Sequence, residues 1–338
     1  MKKLISLICV LAMVLALAAC GSSAPAAATE APAASTEAPA EDVSADKTFV
    51  VGICQLVQHP ALDAATQGFK DALTEALGDK VTFQEQNASG DSATCSLICN
   101  QFVSDEVDLI MANATASIQA AASATNTIPI LGTSITDYGV ALGVDNWTGV
   151  SGTNISGTSD LAPLDGQAAM IQELFPDAKT IGLLFCSGEP NSIFQADSME
   201  ALLTDMGYSV ERYTFADSND VSSVTANACS NADVLYIPTD NTAASCTEAI
   251  NNVALSAGIP IVAGEEGIAA GCGVATLSIS YYDLGRATGE MAAEILTEGA
   301  DISTMEVRFA PAFTKEYNAD ICEALNITVP DDYVAIAK

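Results

Sequence analysis

The chain contains few basic residues and only one histidine. Among its 338 residues there are 11 Lys and Arg against 43 Asp and Glu, which gives a formal net charge of −32. Binding to a phosphate backbone requires clustered Lys and Arg, so the sequence indicates no nucleic-acid partner. One histidine and the absence of a Cys-x-x-Cys motif argue against a zinc site, and we expect neither a metal nor another cofactor.

Motifs of common enzyme classes are also missing. The sequence has no Gly-x-Ser-x-Gly elbow and no phosphate-binding loop, so we expect a protein that is not an enzyme. Hydrophobic residues make up 49% of the chain and its mean hydropathy is +0.31, which excludes an acidic disordered protein. The length predicts about two folded domains with ample cores.

The first twenty residues have the pattern of an export signal. A basic start, Met1-Lys2-Lys3, precedes the apolar run Leu4–Ala16, and Leu17-Ala18-Ala19-Cys20 then matches a bacterial lipobox. The apolar run suits a signal-peptide core and is shorter than the roughly 20 residues of a membrane span. We therefore predict a signal peptide over residues 1–19, a lipid on Cys20, and a protein anchored at the extracytoplasmic face of the cell membrane.

The segment after Cys20 has the composition of a linker. Residues 21–46 are rich in Ala, Pro and acidic residues and contain no Lys or Arg, and Thr29-Glu30-Ala31-Pro32 recurs as Thr36-Glu37-Ala38-Pro39. Such a composition cannot bury a core, so we predict a disordered tether over residues 20–47.

From Thr48 onward, apolar strand patterns alternate with helical periodicities. The predicted strands are Phe49–Cys54, Val81–Gln86, Val107–Met111, Pro129–Gly132, Thr180–Phe185, Ser209–Thr214, Val234–Ile237 and Ile259–Val262. The predicted helices are Ala61–Leu77, Ala93–Phe102, Ser117–Ala124, Leu164–Leu174, 191–206, 221–229 and 242–257. This alternation predicts an α/β protein, and its restart after Thr153 predicts two doubly wound parallel-sheet lobes joined by a hinge.

In such sheets ligands bind beyond the carboxyl ends of the strands, so the loops there supply the candidate site residues. These loops contain no Lys or Arg, and their side chains are mostly hydroxyls, amides and carboxylates. The candidate ligand-binding residues are Gln55, His59, Thr115, Ser117, Thr136, Asp137, Ser187, Asn191, Ser192, Thr239, Asp240 and Glu265.

Several of these residues also have a purely structural interpretation. Asp240 opens a helix and could act only as its N-cap, although no Lys or Arg lies between Arg212 and Arg286 to balance its charge. A ligand ammonium would supply that charge, which makes Asp240 the strongest candidate. A ligand carboxylate would rely on hydroxyls and helix N-termini near Thr115, Ser117, Asn191 and Ser192. His59 could lie at the cleft rim or in an ordinary surface loop.

Eight cysteines remain after Cys9 and Cys20 are set aside. Cys54 lies in a strand and Cys95 and Cys99 share a helical face, so they are expected to be small buried hydrophobes. We expect mostly free thiols, with Cys246–Cys272 as the one candidate disulfide of an exported chain.

Five motifs in the body resemble a known family. They are His59-Pro60-Ala61-Leu62-Asp63, Ser187-Gly188-Glu189-Pro190-Asn191-Ser192, Pro238-Thr239-Asp240-Asn241-Thr242, Ala263-Gly264-Glu265-Glu266-Gly267 and Tyr281-Tyr282-Asp283-Leu284-Gly285-Arg286. In this order they resemble the substrate-binding lipoproteins of ABC importers of the tryptophan/tyrosine group, within the type I periplasmic-binding-protein superfamily. The resemblance covers about Phe49 to Ile327.

The resemblance implies a monomeric receptor whose two lobes close on a small ligand and which docks on ABC permease subunits. It also implies discontinuous lobes: residues 48–152 with 281–303, and residues 153–280 with 304–338. The hinge crossings would be Thr148–Thr153 and Leu277–Ser280.

The expected ligand is a small zwitterion, chiefly an amino acid with an aromatic or large apolar side chain. A receptor for a nucleoside, sugar or peptide-like ligand is the alternative among binding proteins. A cell-surface hydrolase and a purely structural adhesin are the alternatives from other classes.

Overall fold

A computed structural model describes residues 47–310 and 312–337. The predicted signal peptide, the lipid on Cys20 and the tether, apart from Lys47, lie outside the described residues.

The described chain alternates strands and helices from Phe49 onward. The strands are β1 (Phe49–Gln55), β2 (Val81–Asn87), β3 (Leu109–Asn113), β4 (Ile130–Ile135), β5 (Ile155–Ser159), β6 (Thr180–Cys186), β7 (Ser209–Phe215), β8 (Val234–Ile237), β9 (Ile261–Ala263), β10 (Ala275–Ser278), β11 (Arg308–Phe309), β12 (Thr314–Tyr317) and β13 (Val334–Ala335). The α-helices are α1 (Pro60–Leu77), α2 (Ser92–Ser104), α3 (Thr115–Ala124), α4 (Tyr138–Leu142), α5 (Leu164–Leu174), α6 (Pro190–Asp205), α7 (Val221–Cys229), α8 (Asn241–Ser245), α9 (Thr247–Ala257), α10 (Glu266–Cys272), α11 (Tyr281–Glu298) and α12 (Ala319–Leu325).

The strands form two sheets, one in each lobe. The first has the order β11-β5-β4-β3-β1-β2, and the second has the order β13-β12-β10-β9-β8-β6-β7. All pairs are parallel except β10 with β12, which is antiparallel. The prediction of two α/β lobes with parallel sheets is therefore confirmed. The helix predicted over 242–257 is divided at Cys246 into α8 and α9.

Helices cover both faces of each sheet. Successive side chains of a strand point to opposite faces, so the apolar side chains of a parallel sheet need a cover on both sides. In β1, Val51 and Ile53 pack with Met291 on the side of α1 and α11. Cys54 points to the opposite face and packs with Phe102 of α2. Both faces of β1, a central strand of the first sheet, are thus apolar.

The lobe boundaries differ from the sequence prediction at two places. Strand β5 pairs with β4 in the first sheet, so the chain crosses between lobes after Ser159 and not at Thr148–Thr153. Strand β11 pairs with β5, so the last crossing follows Phe309 and not residue 303. The short polar strand β5 (Ile-Ser-Gly-Thr-Ser) has no apolar run, which is why the sequence pattern did not reveal it. The remaining crossing, after β10, coincides with the predicted Leu277–Ser280 stretch.

The cysteine side chains of the described residues agree with the expectation of free thiols. The structure records all eight as free, and six of them are buried: Cys54, Cys95, Cys99, Cys186, Cys272 and Cys322. Cys246 and Cys272 are both free, so the candidate disulfide is not formed.

Helix α11 packs against α1 in the first lobe at a distance that only glycine allows. A Cβ at Gly285 would lie 2.0 Å from the carbonyl oxygen of Ala65, and one at Gly68 would lie 2.0 Å from the carbonyl oxygen of Tyr282. This contact fixes the start of α11, and with it Tyr281, beside the cleft between the lobes.

We expect Gly285→Ala to lower the free energy of unfolding by about 1–3 kcal/mol, the usual cost of overpacking, despite the higher helix propensity of Ala. Gly166→Ala in α5 is the matched control, because its added methyl group meets only the movable end of Leu277. Urea denaturation measures both variants. Equal stability of Gly285→Ala and the wild type would show that the two helices can separate without cost.

Candidate functional site

The carboxyl ends of the strands in the two sheets face each other, and an enclosed cavity lies between them. Its volume is about 10 Å³, room for about one water molecule. The lining residues come from both lobes: His59, Leu62, Ser134, Thr136, Asp160, Asn191, Thr239, Asp240, Asn241, Ala244, Glu265 and Tyr281. An open pocket of about 350 Å³, also lined by both lobes, adjoins it through Asn241.

Half of the candidate residues from the sequence line this cavity. The first lobe contributes His59 and Thr136, and the second contributes Asn191, Thr239, Asp240 and Glu265. Position after a strand therefore identified residues at the edge of each sheet that faces the other lobe.

The other six candidates are not among the residues that line the cavity. The Gln55 amide bonds to Asp63 and Thr66 inside the first lobe. The Ser117 hydroxyl lies 3.6 Å from the Cys95 sulfur in the core. Thr115 is buried at the start of α3, and Asp137 caps α4. Ser187 is exposed, whereas Ser192 is fully buried. A position at the end of a strand, in a loop or in the first turn of a helix does not fix the direction of a side chain, so the sequence could not separate these groups.

The sequence analysis did not select Asp160, Tyr281, Ser134 or Asn241 as site residues, although all four line the cavity. Asp160 follows β5, the strand that lacked a strand pattern. The other three lie in loops or motifs that the sequence analysis had already singled out, and these were the available signal.

Asp160 is held by two hydroxyl groups. Its Oδ1 accepts a hydrogen bond from the Thr136 hydroxyl at 3.0 Å, and its Oδ2 accepts one from the Tyr281 hydroxyl at 3.0 Å. Burial raises the pKa of Asp160 to about 6, because desolvation outweighs these two hydrogen bonds.

Asp240 has more partners than its sequence context indicated. Its Oδ1 accepts a hydrogen bond from the backbone N–H of Ala243 at 2.8 Å, so it caps α8, and its Oδ2 accepts one from the N–H of Cys186 at 2.6 Å. Burial, and then the charge of Glu189, raise the pKa of Asp240 to about 8. Asp240 is therefore a helix cap that also faces the cavity.

Glu265, like Asp240, both caps a helix and lines the cavity. Its carboxylate accepts hydrogen bonds from the N–H groups of Gly267 at 2.6 Å and Ile268 at 2.5 Å at the start of α10. Burial raises the pKa of Glu265 to about 7. The cavity thus has three buried carboxyl groups in its wall, and no Lys or Arg is among its lining residues.

Hydrogen bonds join the lobes across the cavity. His59 Nε2 lies 3.3 Å from Asn241 Oδ1, and Gln195 Nε2 lies 3.4 Å from the Thr136 hydroxyl oxygen. The two lobes are therefore closed on each other.

No helix within residues 47–310 and 312–337 is both long and apolar enough to cross a membrane. In the same part of the chain, no group of three or more His, Cys, Asp or Glu side chains could hold a metal ion.

Comparison with known proteins places this chain in a family. The model of the family described as ABC transporter substrate binding protein matches residues 50–338. A tyrosine-binding protein of Clostridioides difficile is 37% identical over 280 residues, which cover 82% of this chain and 81% of that protein.

Two solved structures, one with a bound ligand and one ligand-free and open, are similar to this chain. An ABC domain in complex with L-Trp, from a streptococcus, has a TM-score of 0.80 at 31% identity and covers 84% of this chain and 97% of its own. A ligand-free, open substrate binding protein with adhesive properties from Clostridium difficile has a TM-score of 0.66 at 36% identity, over 86% of this chain and 100% of its own. The higher score with the ligand-bound structure, despite lower identity, agrees with closed lobes. The extent of these matches shows that the chain belongs to the substrate-binding proteins of ABC transporters.

Proposed function

We propose that this ABC transporter substrate-binding protein captures an aromatic amino acid and holds its ammonium group among Asp160, Asp240 and Glu265. The observation that carries the proposal is the cavity wall itself, in which three buried carboxyl groups have no cationic side chain beside them. Burying a charge is costly unless an opposite charge pairs with it, so the cavity is complementary to a cation.

The hydrogen bonds of the carboxyl groups support an ammonium rather than a metal ion. At least one oxygen of each carboxyl group already accepts a hydrogen bond from a backbone N–H group or a hydroxyl, which fixes the orientation of the carboxyl group. Each carboxylate oxygen can accept more than one hydrogen bond, and an ammonium has three N–H donors to share among them. Charge-assisted hydrogen bonds of this kind contribute about 1.5–3 kcal/mol each.

A place for the ligand carboxylate is available on the opposite lobe. Helix α1 begins directly after His59 with no side-chain cap, whereas α8 and α10 are capped by Asp240 and Glu265. An uncapped helix N-terminus favours an anion. The carboxyl groups therefore suit the ammonium and the N-terminus of α1 suits the ligand carboxylate, so that a zwitterion would bridge the lobes.

Two observations support an aromatic side chain. The cavity wall includes the apolar Leu62 and Ala244 and the ring of Tyr281. The relatives named above are a tyrosine-binding protein and a protein in complex with L-Trp. Because the closed cavity holds about one water molecule, the lobes must part to admit the ligand.

The test of the proposal is calorimetry with a matched ligand pair. We expect L-tyrosine or L-tryptophan to bind, and the analogue of the same ligand without the amino group to bind at least about tenfold more weakly, because it leaves the carboxyl groups unpaired. L-phenylalanine, a nucleoside and a sugar complete the panel. Equal affinity for the deaminated analogue, or tighter binding of the nucleoside or sugar, would contradict the proposal.

The lipobox and the family together support a location and a partner. We propose that Cys20 carries a lipid that anchors the protein at the extracytoplasmic face of the membrane. From there, as a monomer, it would deliver its ligand to the permease subunits of an ABC importer. The acidic composition suits this role, since a net charge of −32 repels anions and leaves a net-neutral zwitterion nearly unaffected.

Mass spectrometry of the protein extracted from membranes should show a diacylglyceryl-modified N-terminus at Cys20. A Cys20→Ala variant is the control, and we expect it to lack the modification and to leave the membrane fraction. An intact bond between Ala19 and Cys20 in the mature wild-type protein would rule the anchor out.

A further inference from the structure

His59 is the only histidine of the chain, and one of its ring nitrogens has no partner. The side chain is 7% exposed and lines the enclosed cavity. Nε2 lies 3.3 Å from Asn241 Oδ1, across the gap between the lobes. Nδ1 is buried and makes no hydrogen bond. Buried polar atoms are nearly always hydrogen-bonded, so the unpartnered Nδ1 is a candidate for contact with a ligand.

The orientation of the Asn241 amide is fixed by Glu189. Asn241 Nδ2 donates to Glu189 Oε2 at 2.7 Å, and the backbone N–H of Asn241 donates to the same oxygen at 3.0 Å. Thr242 donates to Oε1 through its N–H at 2.8 Å and its hydroxyl at 2.7 Å. If the Asn241 amide were flipped, its oxygen would face a carboxylate oxygen. The hydrogen bonds therefore assign Nδ2 to Glu189 and Oδ1 to His59.

This orientation determines which nitrogen of His59 carries the proton. Asn241 Oδ1 is an acceptor only, so Nε2 must donate to it. A neutral imidazole has one N–H, so Nδ1 then carries a lone pair and can only accept a hydrogen bond. Desolvation lowers the pKa of His59 below its usual 6.5, although Asn241 and the charges of Glu189 and Asp63 oppose the shift. The ring is therefore neutral at neutral pH.

None of the residues that line this cavity donates a hydrogen bond to Nδ1. The ionisable groups that share its cavity are Asp160, Asp240, Glu265 and Tyr281, and the Tyr281 hydroxyl already donates to Asp160. Ser134, whose hydroxyl is also buried and unpartnered, can rotate to donate or accept and so fixes no direction. Because Nδ1 carries a lone pair, the partner that suits it is a hydrogen-bond donor.

We propose that Glu189 and Asn241 hold His59 in the Nε2–H tautomer, so that Nδ1 accepts a hydrogen bond from the ligand ammonium. The inference rests on the proposed function, and it adds His59 to the ammonium site. Glu189 and Asn241 are positioning residues, since they act through His59. Because they lie in the second lobe and His59 in the first, the tautomer is set when the lobes close.

The experiment is a long-range ¹H–¹⁵N spectrum of the ¹⁵N-histidine-labelled protein, in which the single histidine gives the only side-chain signals. With saturating L-tyrosine or L-tryptophan, whichever binds, we expect the Nε2–H tautomer and an Nδ1 resonance displaced toward the hydrogen-bonded position. An Nδ1–H tautomer, or an Nδ1 resonance that the bound amino acid does not displace, overturns the inference.

Variants separate the positioning role from a general loss of fold. Glu189→Gln lets the Asn241 amide flip, so we expect the Nδ1–H tautomer to appear and the affinity to fall about tenfold or more. Glu266→Gln removes a nearby half-buried carboxylate that does not touch Asn241, and its spectrum should match the wild type. His59→Asn retains an acceptor near the Nδ1 position and should bind more tightly than His59→Leu. Equal affinities of these two variants would overturn the inference.

The two possible failures are distinguishable. Absence of amino-acid binding by calorimetry overturns the proposed function. Binding accompanied by an Nδ1–H tautomer in the wild-type protein overturns the role of His59 alone.

Discussion

Asp160, Asp240 and Glu265 place three carboxyl groups in the wall of one cavity without a cationic side chain, and the rest of the site is organised around that charge. The folded state tolerates these buried carboxyl groups because each of them accepts hydrogen bonds from backbone N–H groups or hydroxyls. These bonds do not offset burial completely, since the pKa values rise to about 6, 8 and 7. Without ligand, protons therefore replace part of the charge that an ammonium would supply.

The fold connects this charge to the movement of the lobes. Asp160 follows β5 at the first crossing between the lobes, and Tyr281 opens α11 at the second. The hydrogen bond between them joins the two crossing segments. The close glycine contact of α11 with α1 fixes the position of Tyr281 in turn. A cation that pairs with Asp160 therefore acts directly at the hinge, which gives ligand binding a physical route to lobe closure.

The sequence predicted most of the fold because strongly apolar strands and amphipathic helices alternate over most of the body. It predicted Asp240, Glu265 and His59 as cavity residues because a position after a buried strand determines the edge of the sheet. It could not predict Asp160, since β5 is short and polar and pairs with β4 without an apolar run. Nor could it predict that Ser117 lies in the core, because which side chains of the first turn of α3 face the core depends on contacts such as those with Cys54 and Cys95.

Proton release on ligand binding tests most directly whether the buried carboxyl groups receive the ammonium. An ammonium favours the charged carboxylates and lowers their pKa values, so binding between pH about 6 and about 8 must expel protons, and affinity must rise with pH over that window. Calorimetry with the bound amino acid, in buffers of different ionisation enthalpy, measures the number released. We predict net release that becomes smaller in Asp240→Asn. Proton-neutral binding, or proton uptake, throughout this window would contradict the ammonium site.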